Sequence, residues 1–256
     1  MEGNLLYKYR NFGEYTNNII KNSSLYLSPI KQFNDPFDSS LSYHQYYTRS
    51  AMLKYWKDSV KIHKEEALSL GYRKDYIHQA MKPYSKNEAF VEQHNRIRQN
   101  ARDKMGVLSL SRTSTSILMW SHYANNHKGL VFGFEPKAKD SKSCLAKPMK
   151  VDYEITYDLL SYVANSEIRQ KQYIKELLTK FKDWSYEKEY RVVELNFQGE
   201  KPFYKDELKT IIFGLKANQK DIDAMIRLCQ ENDFSHVKFK KAETIHGKFE
   251  LAIRDL

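Results

Sequence analysis

Apolar and polar residues alternate along Val107–Ser111 and again through Leu130, Phe132 and Phe134, a period of two that predicts a pair of half-buried strands. Between them the chain reads RTSTSILMWSHYANNHKG, which predicts one short helix. The hydroxyls of Thr113–Ser116 can accept its first unpaired backbone N–H groups, and Asn125, Asn126 and Gly129 supply its stop. Trp120, His122 and Tyr123 fan around more than half of that helix, so they cannot all face a core, and at least one lines a cleft.

The same pattern places a first strand at Leu5–Arg10, with Tyr7 and Tyr9 on one face and Leu6, Lys8 and Arg10 on the other. Glu14–Ile20 follows as a helical turn, then Leu25–Ser28 as a strand ended by Pro29. In KQFNDPFDSS, the side chains of Asn34 and Asp35 can fold onto their own backbone and Pro36 fixes φ, so a turn is expected there, pinned to the core by Phe33 and Phe37. From Tyr46 to Lys104 the spacing turns helical, through Leu53, Trp56, Val60 and His63 or Lys64 and later Phe90, Ile97 and Met105, with breaks near Gly71 and Pro83. Beyond the central motif a polar loop (Ala138–Lys147) precedes a strand at Met149–Tyr153, a helix over Ser166–Trp184 capped by Ser166, and a strand at Tyr186–Leu195. The chain then reads as strand Leu208–Phe213, helix Asn218–Asn232 capped by Asn218, and strands His236–Lys240 and Lys248–Ile253. The expected fold class is α+β: a twisted, mainly antiparallel sheet with segregated helices, one domain over residues 1–256 carrying a helical insertion at about 46–105.

Composition narrows the class. An apolar fraction of 41% with 14% aromatic residues gives material for a core, and no apolar run is long enough to cross a bilayer. The first ten residues, MEGNLLYKYR, lack the tripartite pattern of a secretory signal, so a cytoplasmic location and no membrane partner are expected. Cys144 and Cys229 stand far apart without a CxxC pairing, which points to reduced thiols rather than a disulfide or zinc framework. A net charge of +10 attracts phosphate-bearing partners, but the lysines are scattered, so a solvated basic surface and a nucleic-acid footprint explain it equally.

Glu187 and Glu189 are the informative acids, since residues two apart on a strand share a face. With Arg191 continuing that face, one reading is plain charge pairing on an exposed surface. The other is a carboxylate pair that stabilises a ribosyl cation while a glycosidic bond breaks. The chain has no GxSxG elbow, no GxxxxGK[ST] loop and no GxGxxG. His122 and His127 are five apart, a poor helical spacing for metal, and none is expected.

The motifs FNDPF, MWSHYA and WSYEKEYR occur in that order, and with them the chain resembles a bacterial family known as a domain of unknown function, itself remotely similar to an abortive-infection component of phage defence. A second, remoter resemblance is to the ADP-ribosyltransferase fold, whose pattern is a basic first strand, a Ser-bearing middle strand and a Glu-x-Glu late strand. Those places fall to Lys8 or Arg10, to Ser109 or Ser111, and to Glu187 and Glu189. The resemblance implies an NAD-consuming transferase in phage defence or a toxin system, modifying a protein or nucleic-acid acceptor and using no membrane; NAD is its substrate. It further implies that Arg10 grips the pyrophosphate, that Tyr9, Trp120 or Tyr123 stacks on a base, that Glu189 stabilises the cation and that Glu187 orients the acceptor. Ser28, Asn34, Asp35 and His122 complete the expected NAD-binding set, with the FNDPFD loop as a wall of the pocket. Two rivals are a non-catalytic antitoxin or sensor, which could act with a partner defence protein, and a nuclease holding Mg²⁺ through Asp35, Asp38 and one of the glutamate pair.

Overall fold

The computed structural model describes residues 4–69, 86–137 and 142–256. The expected breaks near Gly71 and Pro83, and the start of the polar loop at 138–141, lie outside them.

Its strands are β1 (Leu6–Arg10), β2 (Ser24–Pro29), β3 (Gly106–Ser111), β4 (Leu130–Phe134), β5 (Met149–Lys150), β6 (Asp152–Glu154), β7 (Thr179–Phe181), β8 (Glu189–Glu194), β9 (Gly199–Pro202), β10 (Leu208–Phe213), β11 (Lys238–Thr244) and β12 (Leu251–Asp255). The helices are α1 (Glu14–Asn22), α2 (Arg49–Ser69), α3 (Asn87–Arg102), α4 (Ile117–Tyr123), α5 (Ser166–Leu178) and α6 (Gln219–Glu231). The main sheet runs β12-β11-β10-β4-β1-β3-β2-β9, with β8 and then β5 joined through β3. Pairing within the main sheet is antiparallel except for β10 with β11, so the α+β class with a mainly antiparallel sheet holds. Leu6, Leu108, Leu110, Phe132, Phe134 and Ile211 fill one side of it, under α1 and α6. Tyr7, Tyr9, Met119, Trp120, Val131 and Ile212 form a second cluster beneath α4.

The sheet forks at β3. Along one edge β3 pairs with β8 from Gly106↔Glu194 to Ser111↔Glu189. The other edge is shared: β2 takes its start, at Gly106 and Val107, and β1 takes its end, at Tyr7↔Ser111. Past that pair β1 continues beside β4 alone, leaving Leu108–Leu110 without a strand neighbour on that side. Lys8 Nζ reaches into the gap and donates to the Ser109 carbonyl at 2.8 Å, satisfying a group that an unforked ladder would have paired.

Several boundaries differ from expectation. The helix read over Ser166–Trp184 stops at Leu178 and is capped by Asn165, which accepts from Ile168 N at 2.9 Å. Thr179–Phe181 then pairs with β6 in parallel, and Lys182–Glu187 is a 3-10 turn. Glu187 therefore ends a turn rather than lying on a strand, and β8 begins at Glu189 after Lys188 takes a left-handed φ of 44°. The expected strand at Met149–Tyr153 is two short ones, and β9 went unread because Gly and Pro at its ends look like loop. Phe37 does not pin its loop: it is 76% exposed.

Candidate functional site

Where the fork opens, a cavity of about 170 Å³ is lined by side chains from β1, β3, β7, β8, α4 and the FNDPFD loop. At its base lies a buried ion network. Arg191, 1% exposed, grips Asp38 through two nitrogens at 2.8 and 2.6 Å and Glu189 through two more bonds at 2.7 and 2.9 Å. Lys180 sits between the two glutamates, 2.6 Å from Glu187 and 3.1 Å from Glu189. Expecting Glu187, Glu189 and Arg191 on an exposed surface is thus corrected. All three are buried, because Lys180 of β7, the Leu177 carbonyl before it and Asp38 of the FNDPFD loop pack onto that face.

Three carboxylates face two cations here, so one negative charge is left over. Glu187 is the least compensated carboxyl of the network. Burial pushes that carboxyl up from its ordinary value, against the pull of Lys180. Burial also acts on Glu189, but the Arg191 guanidinium and then Lys180 overcome it and hold Glu189 at about 2. Glu187 takes its remaining contact from the Tyr123 hydroxyl, which donates to it at 2.7 Å.

Above this base are two more cations. Lys8 is brought down to about 7, first by burial and then by Arg10, with Glu189 and Glu187 opposing. Arg10, lowered by burial, has no ion-pair or hydrogen-bond partner for its guanidinium among the described residues. By strict alternation Lys8 and Arg10 belong to the Leu6 face, opposite Tyr7 and Ser111. They still line the cavity because β4 alone flanks them and the side toward β3 is open at the fork.

Of the expected residues, Lys8, Tyr9, Arg10, Asn34, Ser109, Ser111, Tyr123, Glu187 and Glu189 line this one cavity. Ser111 spends its hydroxyl on the Glu187 carbonyl at 2.6 Å and so positions the turn that carries Glu187. Tyr9 is buried, its hydroxyl donating to the Thr113 carbonyl at 2.8 Å, and packs edge-on against Trp120. Trp120 is 0% exposed and donates to the Ser114 carbonyl, so it cannot stack on a ligand. His122 projects outward to solvent, two residues after Trp120 and so about 200° round α4 from it. Asp35 accepts from Phe37 N at 2.9 Å, closing its turn, and faces a separate cavity. Ser28 lines a larger groove of about 750 Å³ that adjoins the first through Arg10 and Tyr123. Phe33, Asn34 and Asp38 do make the FNDPFD loop a wall, with Phe33 over the Arg191 guanidinium.

α4 presents Tyr123 through local geometry. Ser116 caps its start by accepting from Met119 N, and Met119, Trp120 and Tyr123 then share the inward side. The helix ends in three left-handed residues, Asn125, Asn126 and His127, a conformation that asparagine tolerates. Gly129 follows, where a Cβ would lie 2.2 Å from the Arg10 carbonyl oxygen.

Residues 119–192 match the model of a protein family of unknown function, DUF2971. The DUF2971 match covers under a third of the chain; it spans α4 and the MWSHYA and WSYEKEYR stretches, with Tyr123, Lys180 and both glutamates, while FNDPF lies outside it. No curated protein and no solved structure matches the chain. Among the described residues no helix is long and apolar enough to cross a membrane.

Sequence reasoning missed Lys180 and the pairing role of Asp38. The β-branched Thr179 and aromatic Phe181 that flank Lys180 were the available sign of a strand there, masked by the helical run before it.

Proposed function

We propose that the forked-sheet cavity binds NAD and cleaves its nicotinamide–ribose bond, passing ADP-ribose to a macromolecular acceptor. The observation that carries this reading is the pairing, in one cavity, of an unengaged guanidinium, Arg10, with the least compensated carboxyl of the network, Glu187. NAD has the complementary layout, an anionic pyrophosphate and a cationic nicotinamide ring joined by a ribose. Arg10 matches phosphate oxygens as a planar fork. Glu187 favours positive charge as it develops on the ribose during bond breaking.

The roles of the two glutamates exchange relative to the sequence expectation. Both Glu189 oxygens are taken by Arg191 and Lys180, so Glu189 holds the base of the site. Glu187, held by one lysine and one neutral hydroxyl, faces the ligand. Tyr123 remains as the ring at the junction of cavity and groove, and the 750 Å³ groove gives room for the half of NAD that 170 Å³ cannot hold.

The same locked ion network favours the binding-module rival, since a structural cluster needs no turnover. The nuclease rival is weakened because Arg191 already occupies Asp38 and Glu189, which a divalent cation would need. Incubating the protein with NAD and a cell extract as acceptor source tests the proposal: release of free nicotinamide is expected, and NAD bound but unconsumed would leave the binding module.

A further inference from the structure

We propose that Lys8 is a nucleophilic amine that captures a phosphate-bearing aldehyde in this cavity as an imine. The inference stands on the amine and does not depend on NAD being cleaved.

Its basis is placement. Lys8 Nζ lies in the opening between β1 and β3 and makes one hydrogen bond among the described residues, to the Ser109 carbonyl at 2.8 Å. An ammonium has three donors and an amine also a lone pair, so most of its bonding capacity faces the cavity. Arg10 is two residues along the same strand, its Cα about 7 Å from that of Lys8, and its guanidinium lines the same cavity as an anion-binding fork. Glu187 and the Tyr123 hydroxyl line the same cavity and are hydrogen-bonded to each other, a pair able to pass a proton. Burial favours the uncharged amine. With Lys8 brought to about 7, about half of it is neutral at pH 7, against fewer than about one in a thousand for an exposed lysine.

The step balances without an oxidant or reductant. The Nζ lone pair adds to the carbonyl carbon while an amine proton passes to the oxygen, giving a carbinolamine. The C–O bond then breaks, the oxygen leaves as water with the second amine proton, and a C=N bond remains. Other buried groups serve this less well: Cys144 and Cys229 are both pushed up to about 12 by burial and lie outside the cavity.

The test uses the full chain, pyridoxal phosphate as the anionic aldehyde, borohydride to reduce any imine to a stable secondary amine, and peptide mass spectrometry to locate it. At pH 7, Lys8 should be labelled about tenfold or more faster than exposed lysines such as Lys31 and Lys188. Pyridoxal, which lacks the phosphate, should label Lys8 about tenfold more slowly, and Arg10→Gln should bring the two aldehydes level. The mapping on unaltered protein needs no variant to fold. Lys8 labelled no faster than Lys31, or labelled equally by both aldehydes, overturns the proposal.

Discussion

Glu187 and Glu189 are two residues apart and share one lysine, yet their surroundings divide them. Glu189 is fixed by a guanidinium on both oxygens, whereas Glu187 is held by Lys180 and the Tyr123 hydroxyl. Glu187→Gln is therefore expected to lower nicotinamide release about a hundredfold or more while leaving the melting temperature nearly unchanged, since it removes a transition-state charge and relieves a buried one. Glu189→Gln should instead lose stability, because Arg191 keeps its charge and loses half its partners. Kinetics and thermal melts of the two variants read the difference, and an active, stable Glu187→Gln protein would remove Glu187 from the chemistry. Lys8 adds a pH dependence. Its folded value is depressed below the unfolded one, so its charge is present below about 7 and lost above. Pyrophosphate binding should weaken between pH 6 and 8.5, and stability should gain with pH from about 7 towards 10 through this group. Titration calorimetry at both pH values checks the first. The sequence made the glutamate pair and Arg10 visible by residue type and spacing. It could not show that Arg191 is buried, because its partner Asp38 is distant in sequence and the covering strand β7 reads as the end of a helix.

At the scale of elements, the site exists because β3 divides one edge between two strands. β3 and β4 were legible from alternation, and α4 from its cap and stop, since each depends on neighbours in sequence. The fork was not legible, because period-two patterning says which face a residue takes and nothing about which strand lies beside it. The turn from α4 into β4 locks the arrangement. Gly129→Ala would drive a methyl into the Arg10 carbonyl, so the turn must shift and carry the end of β1 with it. A loss of about 1–3 kcal/mol is expected, with weakened anion binding, as judged by denaturant unfolding and calorimetry. A variant as stable as the parent would show that the turn does not position β1.

Across the whole molecule, the ion network joins β8 to the FNDPFD loop through Asp38, to β7 through Lys180 and to α4 through Glu187 and Tyr123. Arg191→Met should cost about 3–5 kcal/mol, because it strands two carboxylates out of water, and urea unfolding measures it. Acid should act on the same network: Glu189 contributes stability above its unfolded value of about 4.3, lost as pH falls towards 2. The central claim is that this junction is an NAD site held by Arg10 with Glu187 as its chemical partner. Calorimetric titration of NAD into the unaltered protein, Arg10→Gln and Glu187→Gln tests it most directly. Binding should weaken about tenfold or more in Arg10→Gln and change little in Glu187→Gln; no NAD binding by the unaltered protein, or equal binding by Arg10→Gln, would contradict the account.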